Sequence, residues 1–348
     1  MKKGQQFCFT HSSGEDIYLF ALHNNRDTEV LISNYGAILT SFKIKNPAGI
    51  FNDIVLGFDK MEDYQSPDYL KAYPWFGSAV GRYANRIKNA SFKIDGKEYQ
   101  LSKNSENDQL HGGVEGFDKK VWQLVSFTGN TLELSYTSRD GEEGFPGNLA
   151  VTVLFELNDD NEFSYTYTAF TDKATAINLT HHGYFNLNNG KGNIEDHELK
   201  IYSSQVLEQG DNLVTTGRYV DVKDTSYDFT AWKKINANWD AANGYDQSFV
   251  VDIKDKAMPL VAEVYSSQAK LKLQIWSTEP VVHFYSGKWI PVIKGKNGSL
   301  YGPYSALCLE TQVHPNAVNI PHFPNTILRP GEKYHQKTIY KAIYTDVK

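Results

Sequence analysis

Hydrophobic and polar residues alternate along much of the chain. Every second residue is apolar from Leu149 to Leu157, and the same alternation covers residues 131–137, 163–167 and 271–275. Successive side chains of an extended chain point to opposite faces, so each segment predicts a β-strand with one buried face.

Turn-forming residues separate these segments. Asp95-Gly96 lies within IDGKEY (94–99) and Gly129-Asn130 within FTGNTL (127–132), while LNDDNEF (157–163) is a third polar interruption. Each predicts a β-hairpin between two short strands.

Helical patterns are few. We expect short helices only in DKMEDYQSPDYL (59–70) and SYDFTAWKKI (226–235). Many closely spaced strands without interleaved helices indicate an all-β fold, a large antiparallel β-sandwich. No repeat, low-complexity tract or Gly/Ser linker divides the chain, so we expect one domain over residues 1–348.

Composition and charge narrow the possible partners. The chain is 14% aromatic and 22% charged, which does not indicate disorder. The net charge is −6 and no Lys/Arg-rich run occurs, so we expect no nucleic-acid partner. No run approaches the roughly 18 apolar residues of a membrane span, so no membrane partner is expected either.

The two cysteines, Cys8 and Cys308, are too few for a disulfide framework or a thiolate metal site of the usual kind. A reducing compartment fits this usage. The first 20 residues contain two lysines but no apolar core of a signal peptide. We therefore expect a cytoplasmic protein.

Six segments break the strand pattern and collect His, Arg, Asp, Asn and Glu among glycines and aromatics. They are WFGSAVGRYANRI (75–87), LHGG (110–113), NLTHHGYFNL (178–187), GYDQSF (244–249), EPVVHFYSG (279–287) and CLETQVHPNAVN (308–319). Such side chains are costly to bury unless they are paired or functional.

Taken singly, most of these residues also have a structural interpretation. Arg86 fits a surface charge or a structural ion pair, His111 a turn residue, and Asp246 an Asx turn. Glu310 differs, because it ends the apolar stretch SALCLE and a carboxylate there points to a cavity or a strand end.

His181 and His182 are adjacent within NLTHHGYFNL. Alternation predicts that they point in opposite directions and that one faces a core or a cavity. A bulge at Gly183 would shift the phase, so the pattern alone leaves open which histidine faces inward.

The motifs VGRYANRI, LHGG, NLTHHGYFNL, YDQSF, HFYSGK and LETQVHPNAVN occur in an order that resembles the aldose 1-epimerases, the galactose mutarotases. DIVLGFD (53–59) and FPNTILRPGEKY (323–334) fit as well, so the resemblance spans nearly the whole chain. It implies a large single-domain β-sandwich that interconverts the α and β anomers of free aldoses such as galactose and glucose. It implies no cofactor and no metal.

The resemblance also implies roles for individual residues. Glu310 matches the general base and His182 the general acid. His111 matches a second histidine that binds the sugar and supports charge on the ring oxygen. Asn85, Arg86 and Asp246 match residues that bind sugar hydroxyls. By the same resemblance, His182 is the inward-facing histidine.

Three positions depart from the family pattern. His181 stands where the family usually has asparagine, and Gln247 where it commonly has histidine. His283 stands where relatives often have a glutamine that contacts the sugar, so we keep His283 as a candidate sugar-binding residue. These departures leave the preferred aldose open.

Aromatic residues near the motifs are candidates for contact with the apolar face of a sugar. Tyr184, Phe185 and Trp75 are the nearest, although core packing is the favoured interpretation for all three because aromatics dominate β cores.

Other functions remain as alternatives. An epimerase for hexose 6-phosphates would need an Arg/Lys cluster, and within the six segments only Arg82 and Arg86 lie close together. A glycosidase would need two flanking carboxylates, for which Glu310 and Asp246 are the candidates.

A non-enzymatic sugar-binding or sensor protein on the same fold is a further alternative. The presence of both Glu310 and His182 favours an enzyme.

Overall fold

A computed structural model describes residues 4–345 except 211, 241 and 253–256. Its largest element is a nine-stranded antiparallel sheet. In spatial order the strands are Gln123–Phe127, Thr131–Ser138, Leu149–Leu157, Glu162–Thr171, Tyr334–Tyr344, Leu271–Ser277, Leu260–Ser266, Glu198–Ile201 and Lys233–Lys234.

Two five-stranded antiparallel sheets accompany it. The first is a meander near the start of the chain, with strands Gln5–Thr10, Asp16–His23, Glu29–Ser33, Leu39–Lys45 and Phe51–Asp53. The second, called the site sheet below, has the strand order Thr215–Asp221, Gln205–Gln209, Asp246–Val250, Val281–Tyr285 and Cys308–Gln312.

Short two-stranded ribbons and single-turn helices complete the fold. The ribbons pair Arg86–Ile87 with Gln109–Leu110, Ser91–Ile94 with Lys97–Gln100, Thr175–Ala176 with Ile327–Leu328, Ala79–Val80 with Thr180–His181, and Ile293–Lys294 with Leu300–Tyr301. The α-helix is Pro67–Ala72, and the 3₁₀ helices are Met61–Gln65, Lys88–Ala90, Phe117–Lys119, Glu142–Gly144, Lys296–Gly298 and Ala317–Asn319.

The main core lies between the nine-stranded sheet and the site sheet. Val153 on one side and Phe284 and Leu309 on the other belong to the same buried apolar cluster. A hydrogen bond of 3.1 Å joins the Tyr165 hydroxyl of the nine-stranded sheet to Thr311 Oγ1 of the site sheet. The predicted all-β antiparallel sandwich is confirmed, because apolar faces with a period of two are buried between sheets.

All three predicted hairpins are present. Ser91–Ile94 pairs with Lys97–Gln100 around Asp95-Gly96. The other two turns join Gln123–Phe127 to Thr131–Ser138, and Leu149–Leu157 to Glu162–Thr171. Local turn chemistry was therefore sufficient to locate these connections.

One of the two expected helical segments is correct. Residues 59–70 contain the Met61–Gln65 turn and the start of helix Pro67–Ala72, whose first residue is proline and whose Ser66 side chain caps the Tyr69 N–H.

The helix expected at 226–235 is wrong. That segment is a series of turns followed by strand Lys233–Lys234, with Phe229 and Ile235 buried in the core. Contacts of the Phe229 ring with Tyr245 and Phe284 hold it in this irregular path, so tertiary packing overrides the local helical pattern.

No helix in the described part of the chain is long and apolar enough to cross a membrane.

Candidate active site

Three adjacent strands of the site sheet build one wall of a pocket. They carry Asp246, His283 and Glu310 in turn. His283 is directly opposite Glu310 in the register of the last two strands, and Ser248 is opposite His283 on the other side. Because side chains opposite each other in a sheet share a face, His283 and Glu310 are neighbours on the pocket wall.

Loops from the other side of the molecule build the facing wall. The ribbon between Arg86–Ile87 and Gln109–Leu110 brings His111 next to Asn85. The backbone N–H of His111 donates to the Asn85 backbone carbonyl at 3.0 Å, and the backbone N–H of Asn85 donates to His111 Nδ1 at 3.2 Å. The two hydrogen bonds fix both the backbone and the ring of His111.

Gly112 is required for this loop. Its φ is +87°, and a Cβ at this position would lie 1.9 Å from the Gly81 carbonyl oxygen. Only glycine permits this close approach of two loops, which explains the glycine after His111 in LHGG.

The pocket between the two walls has a volume of about 120 Å³, which is small compared with the roughly 300–1,000 Å³ of sites for drug-sized ligands. A small ligand therefore fits this pocket better than a drug-sized one. Every predicted site residue lines this pocket: Asn85, Arg86, His111, His182, Asp246, His283 and Glu310.

His182 and Glu310 meet at the base of the pocket. His182 Nε2 lies 3.6 Å from Glu310 Oε1, and the residues are only 4% and 1% exposed. The other carboxylate oxygen, Oε2, is buried and has no hydrogen-bond partner among the described residues. Buried carboxylate oxygens are normally paired, so this oxygen is available to a bound ligand.

Burial changes the proton affinity of both groups. It raises the pKa of Glu310 to about 7, although the charge of His283 acts in the opposite direction. It lowers the pKa of His182 to about 3. Both shifts have the same cause, because a dry pocket disfavours the charged form of each group.

Aromatic rings hold the His182 imidazole in place. Tyr184 stacks on it with ring centres 4.9 Å apart and planes 15° apart. Trp75 lies nearly parallel at 6.3 Å. His111 packs edge-on, with its ring centre 5.3 Å from that of His182. The ring therefore has little freedom to turn away from Glu310.

Asp246 and His283 form a second ionisable pair in the pocket. His283 Nε2 lies 2.7 Å from Asp246 Oδ1. Burial by itself would raise the pKa of Asp246 and lower that of His283. The hydrogen bond and charge of each partner outweigh burial, so the pKa of Asp246 is lowered and that of His283 is raised.

His181 lies on the opposite side of the chain from His182, as alternation predicted. Its ring packs against Phe155 and Tyr165 in the apolar core, and Nε2 lies 3.2 Å from the Ala37 carbonyl oxygen. Burial lowers the pKa of His181 to about 4, so this histidine is neutral near pH 7. The two histidines therefore face a core and a cavity, respectively.

The donor atoms of His111, His182 and Glu310 lie within 4.8 Å of one another, a spacing at which a metal ion can be considered. However, His111 Nδ1 accepts the Asn85 N–H. In the neutral ring the proton is therefore on Nε2, which then has no lone pair for an ion. The hydrogen bonding fits His111 as a donor to a ligand oxygen better than as a metal ligand.

The aromatic candidates have different locations. Phe185 packs on Tyr340 in the core, as favoured. For Trp75 the favoured core packing is wrong, since it is half-buried on the pocket wall, and Tyr184 is buried but also lines the pocket. Tyr285 and Trp289 line the pocket too and were missed, because HFYSGKW gives no pattern that separates a core aromatic from a pocket aromatic.

Arg82 and Gln247 do not line the pocket. Arg82 is buried, and its guanidinium donates to Ser138 and to the Pro146 and Gly147 carbonyls. Gln247 is also buried, and its side-chain carbonyl accepts the Ser248 N–H. Both residues therefore have structural partners rather than access to a ligand in this pocket.

A larger cavity on the molecule lacks the buried ionisable groups of this pocket. A groove of about 500 Å³ elsewhere is lined by residues such as His11, Lys119 and Arg139. Its charges are on an open surface, whereas the smaller pocket gathers buried ionisable groups. Such groups are the better indicator of a functional site.

The chain matches known proteins over most of its length. The family model described as aldose 1-epimerase matches residues 18–341. Galactose mutarotase from Homo sapiens is 39% identical over 334 residues, which are 95% of each chain. Aldose 1-epimerase from Escherichia coli (strain K12) is 35% identical over 338 residues, covering 95% of this chain and 96% of the relative.

Solved structures agree with these matches. An aldose epimerase homologue from C. elegans is 29% identical with a TM-score of 0.88, covering 94% of this chain and 99% of the other. Galactose 1-epimerase from Lactobacillus acidophilus NCFM is 25% identical with a TM-score of 0.83, covering 98% and 99%. With the family model matched almost from end to end, the chain belongs to the aldose 1-epimerase family.

Proposed function

We propose that this pocket opens and recloses the ring of a free aldose, with Glu310 as general base and His182 as general acid. The reaction is that of the family, an isomerisation between the α and β anomers. The observation that carries the assignment is the 3.6 Å approach of His182 Nε2 to Glu310 Oε1 at the base of a buried pocket.

The distance suits the reaction. Opening a cyclic hemiacetal removes a proton from the hydroxyl on C1 and adds a proton to the ring oxygen. Both oxygens are bonded to C1, so the base and the acid must lie close to each other. Rotation about the C1–C2 bond then exposes the other face of the aldehyde, and the two transfers reverse to close the ring.

The pair must hold one proton in total. A cyclic sugar requires ionised Glu310 and protonated His182, and ring opening leaves protonated Glu310 and neutral His182. Burial favours the second arrangement, since it raises the pKa of Glu310 and lowers that of His182. The unliganded pair therefore rests in the second arrangement, and reaching the first, reactive arrangement is part of the cost of opening the ring.

The remaining site residues orient the sugar. His111 Nε2–H is suited to donate to the ring oxygen, because Nδ1 already accepts the Asn85 N–H. Arg86 and Asn85 lie on one side of the pocket, where they can bind hydroxyls. Asp246 lies on the other side, where its carboxylate can accept from hydroxyls, beside His283, whose two ring nitrogens already face Asp246 and Ser248. Trp75 and Tyr184 provide apolar surface for the C–H face.

Galactose and glucose are the first substrates to test, because the relatives are named galactose mutarotase and aldose 1-epimerase. A hexose 6-phosphate is less well supported. Among the residues that line this pocket, Arg86 is the only Arg or Lys. The Arg82 guanidinium lies outside it and donates hydrogen bonds to buried carbonyls. One guanidinium is a weak phosphate site.

Sugar binding and turnover separate an enzyme from a binding protein. Glu310→Gln keeps the size of the side chain but removes the base, so we expect it to bind galactose or glucose in calorimetry while mutarotation is lost. His182→Asn tests the acid in the same way. If Glu310→Gln retains full turnover, Glu310 is not the base. If the unmodified protein binds sugar without accelerating mutarotation, it is a binding protein.

A further inference from the structure

His283 has a polar partner at each ring nitrogen. Nε2 lies 2.7 Å from Asp246 Oδ1, and Nδ1 lies 2.9 Å from Ser248 Oγ. A carboxylate accepts hydrogen bonds, and a hydroxyl can accept as well as donate. Both nitrogens can therefore carry a proton, which makes the surroundings suitable for a positively charged imidazolium although His283 is only 3% exposed.

The charge of this ring lies beside Glu310. His283 and Glu310 are directly opposite across strands Val281–Tyr285 and Cys308–Gln312, so their Cβ atoms are about 4.5–5.5 Å apart. Asp246 is one strand further away and is held by the same ring. An unpaired Asp246 carboxylate would disfavour ionised Glu310, whereas an imidazolium between the two acids opposes that effect.

Other ionisable groups also face this region. The facing loops contribute His111, His182 and Arg86, and Tyr184, Tyr285 and Cys308 surround Glu310 within its own part of the pocket. Of these, Arg86 is positively charged and also lowers the pKa of Glu310. His283 is distinguished from Arg86 by its direct bond to Asp246 and its place next to Glu310 in the sheet.

We infer that His283 is a positioning residue: it holds the Asp246 carboxylate and cancels its charge beside Glu310, so that a sugar-binding acid and the base operate on the same wall of the pocket. This inference rests on the proposed role of Glu310. It goes beyond sugar contact, because it gives His283 a role in the protonation of the His182–Glu310 pair.

The test is the pH dependence of kcat/KM for mutarotation in the full-length protein. His283→Gln removes the positive charge and leaves Asp246 uncompensated. The His182–Glu310 pair then holds its protons more tightly, and both limbs of the profile should move to higher pH, by roughly 1 unit or more. A residue that only contacts sugar would raise KM and leave the limbs in place.

The double variant Asp246→Asn with His283→Gln is the matched control. It removes both charges together, so the limbs should return toward those of the unmodified protein even though sugar binding is weakened. Limbs that stay displaced in the double variant, or that do not move in His283→Gln, would overturn the inference.

An NMR measurement keeps the inference testable if His283→Gln does not fold or if the protein does not catalyse mutarotation. The ¹⁵N shifts of the His283 ring in the unmodified protein, followed against pH, should titrate with a midpoint above about 6.5, the pKa of an unperturbed histidine. A midpoint at or below that value overturns the role of His283. Loss of mutarotation with a charged His283 overturns the proposed function instead.

Discussion

His181 and His182 are adjacent in the chain, but their rings lie on opposite sides of it and in different surroundings. The His181 ring packs against Phe155 and Tyr165 in the core, whereas His182 Nε2 approaches Glu310 in the pocket. The alternation of an extended backbone separates a structural histidine from a functional one within two residues.

Alanine substitutions at these two positions should therefore have different effects. His182→Ala should lower kcat by about 10²–10⁴-fold, the usual contribution of a general acid, and should cost less stability than His181→Ala because it widens an existing pocket. His181→Ala should lower the free energy of unfolding by about 2–4 kcal/mol, because it leaves a cavity and an unpaired Ala37 carbonyl. Urea unfolding and polarimetry measure the two effects. A His181→Ala variant of normal stability but without activity would contradict this division.

The pH profile of kcat/KM should be bell-shaped, since activity needs one proton on the His182–Glu310 pair. The pair loses its last proton when Glu310 ionises. Burial raises the pKa of Glu310 to about 7, so activity should fall as pH rises through that value. The second proton is added only near pH 3, the lowered pKa of His182, so activity should persist well below pH 6. Initial rates with α-D-galactose between pH 5 and pH 9 measure the alkaline limb and show whether activity persists below pH 6. A rate that keeps rising above pH 7 would be inconsistent with this assignment.

Arg82 and Arg86 are close in sequence but should respond differently to substitution. Arg86→Ala should raise KM for the sugar with little effect on folding, because Arg86 lines the pocket. Arg82→Ala should destabilise the protein by about 3 kcal/mol or more, since it leaves buried carbonyls such as those of Pro146 and Gly147 unpaired. Steady-state kinetics and thermal unfolding of both variants test the contrast. An unchanged KM in Arg86→Ala would remove Arg86 from the site.

A largely buried ion pair outside the pocket gives a prediction about stability alone. Lys296 Nζ lies 2.6 Å from Asp53 Oδ2, and both side chains are 12% exposed. Lys296→Met leaves the Asp53 charge without its partner and should cost about 3–5 kcal/mol. Lys45→Met breaks an exposed pair with Asp27 and should cost about 1 kcal/mol or less. Equal effects of the two substitutions, measured by urea unfolding, would show that burial of the pair is unimportant.

Much of the fold could be predicted from the sequence because its signals are local. The burial of Leu149–Leu157 alternates as its residue pattern does, and Asp95-Gly96 forms the expected hairpin turn. The helix expected at 226–235 failed because Phe229 packs against residues distant in sequence. Such contacts leave no periodic signal.

The candidate site could be predicted only in part. The motifs indicated Glu310, His182 and the other residues that the structure brings together in one pocket. The pairing of Asp246 with His283 was not predictable, because it depends on the register between Asp246–Val250 and Val281–Tyr285. Likewise, nothing local distinguishes buried Arg82 from Arg86, four residues later.

The account depends most on Glu310 and His182 acting together on a free aldose. Polarimetry of freshly dissolved α-D-galactose and α-D-glucose near pH 7 tests this most directly, with the unmodified protein, Glu310→Gln and His182→Asn. We expect the unmodified protein to accelerate mutarotation and each folded variant to lose about 10²–10⁴-fold of that acceleration. Full acceleration by either variant, or none by the folded unmodified protein with both sugars, would contradict the account.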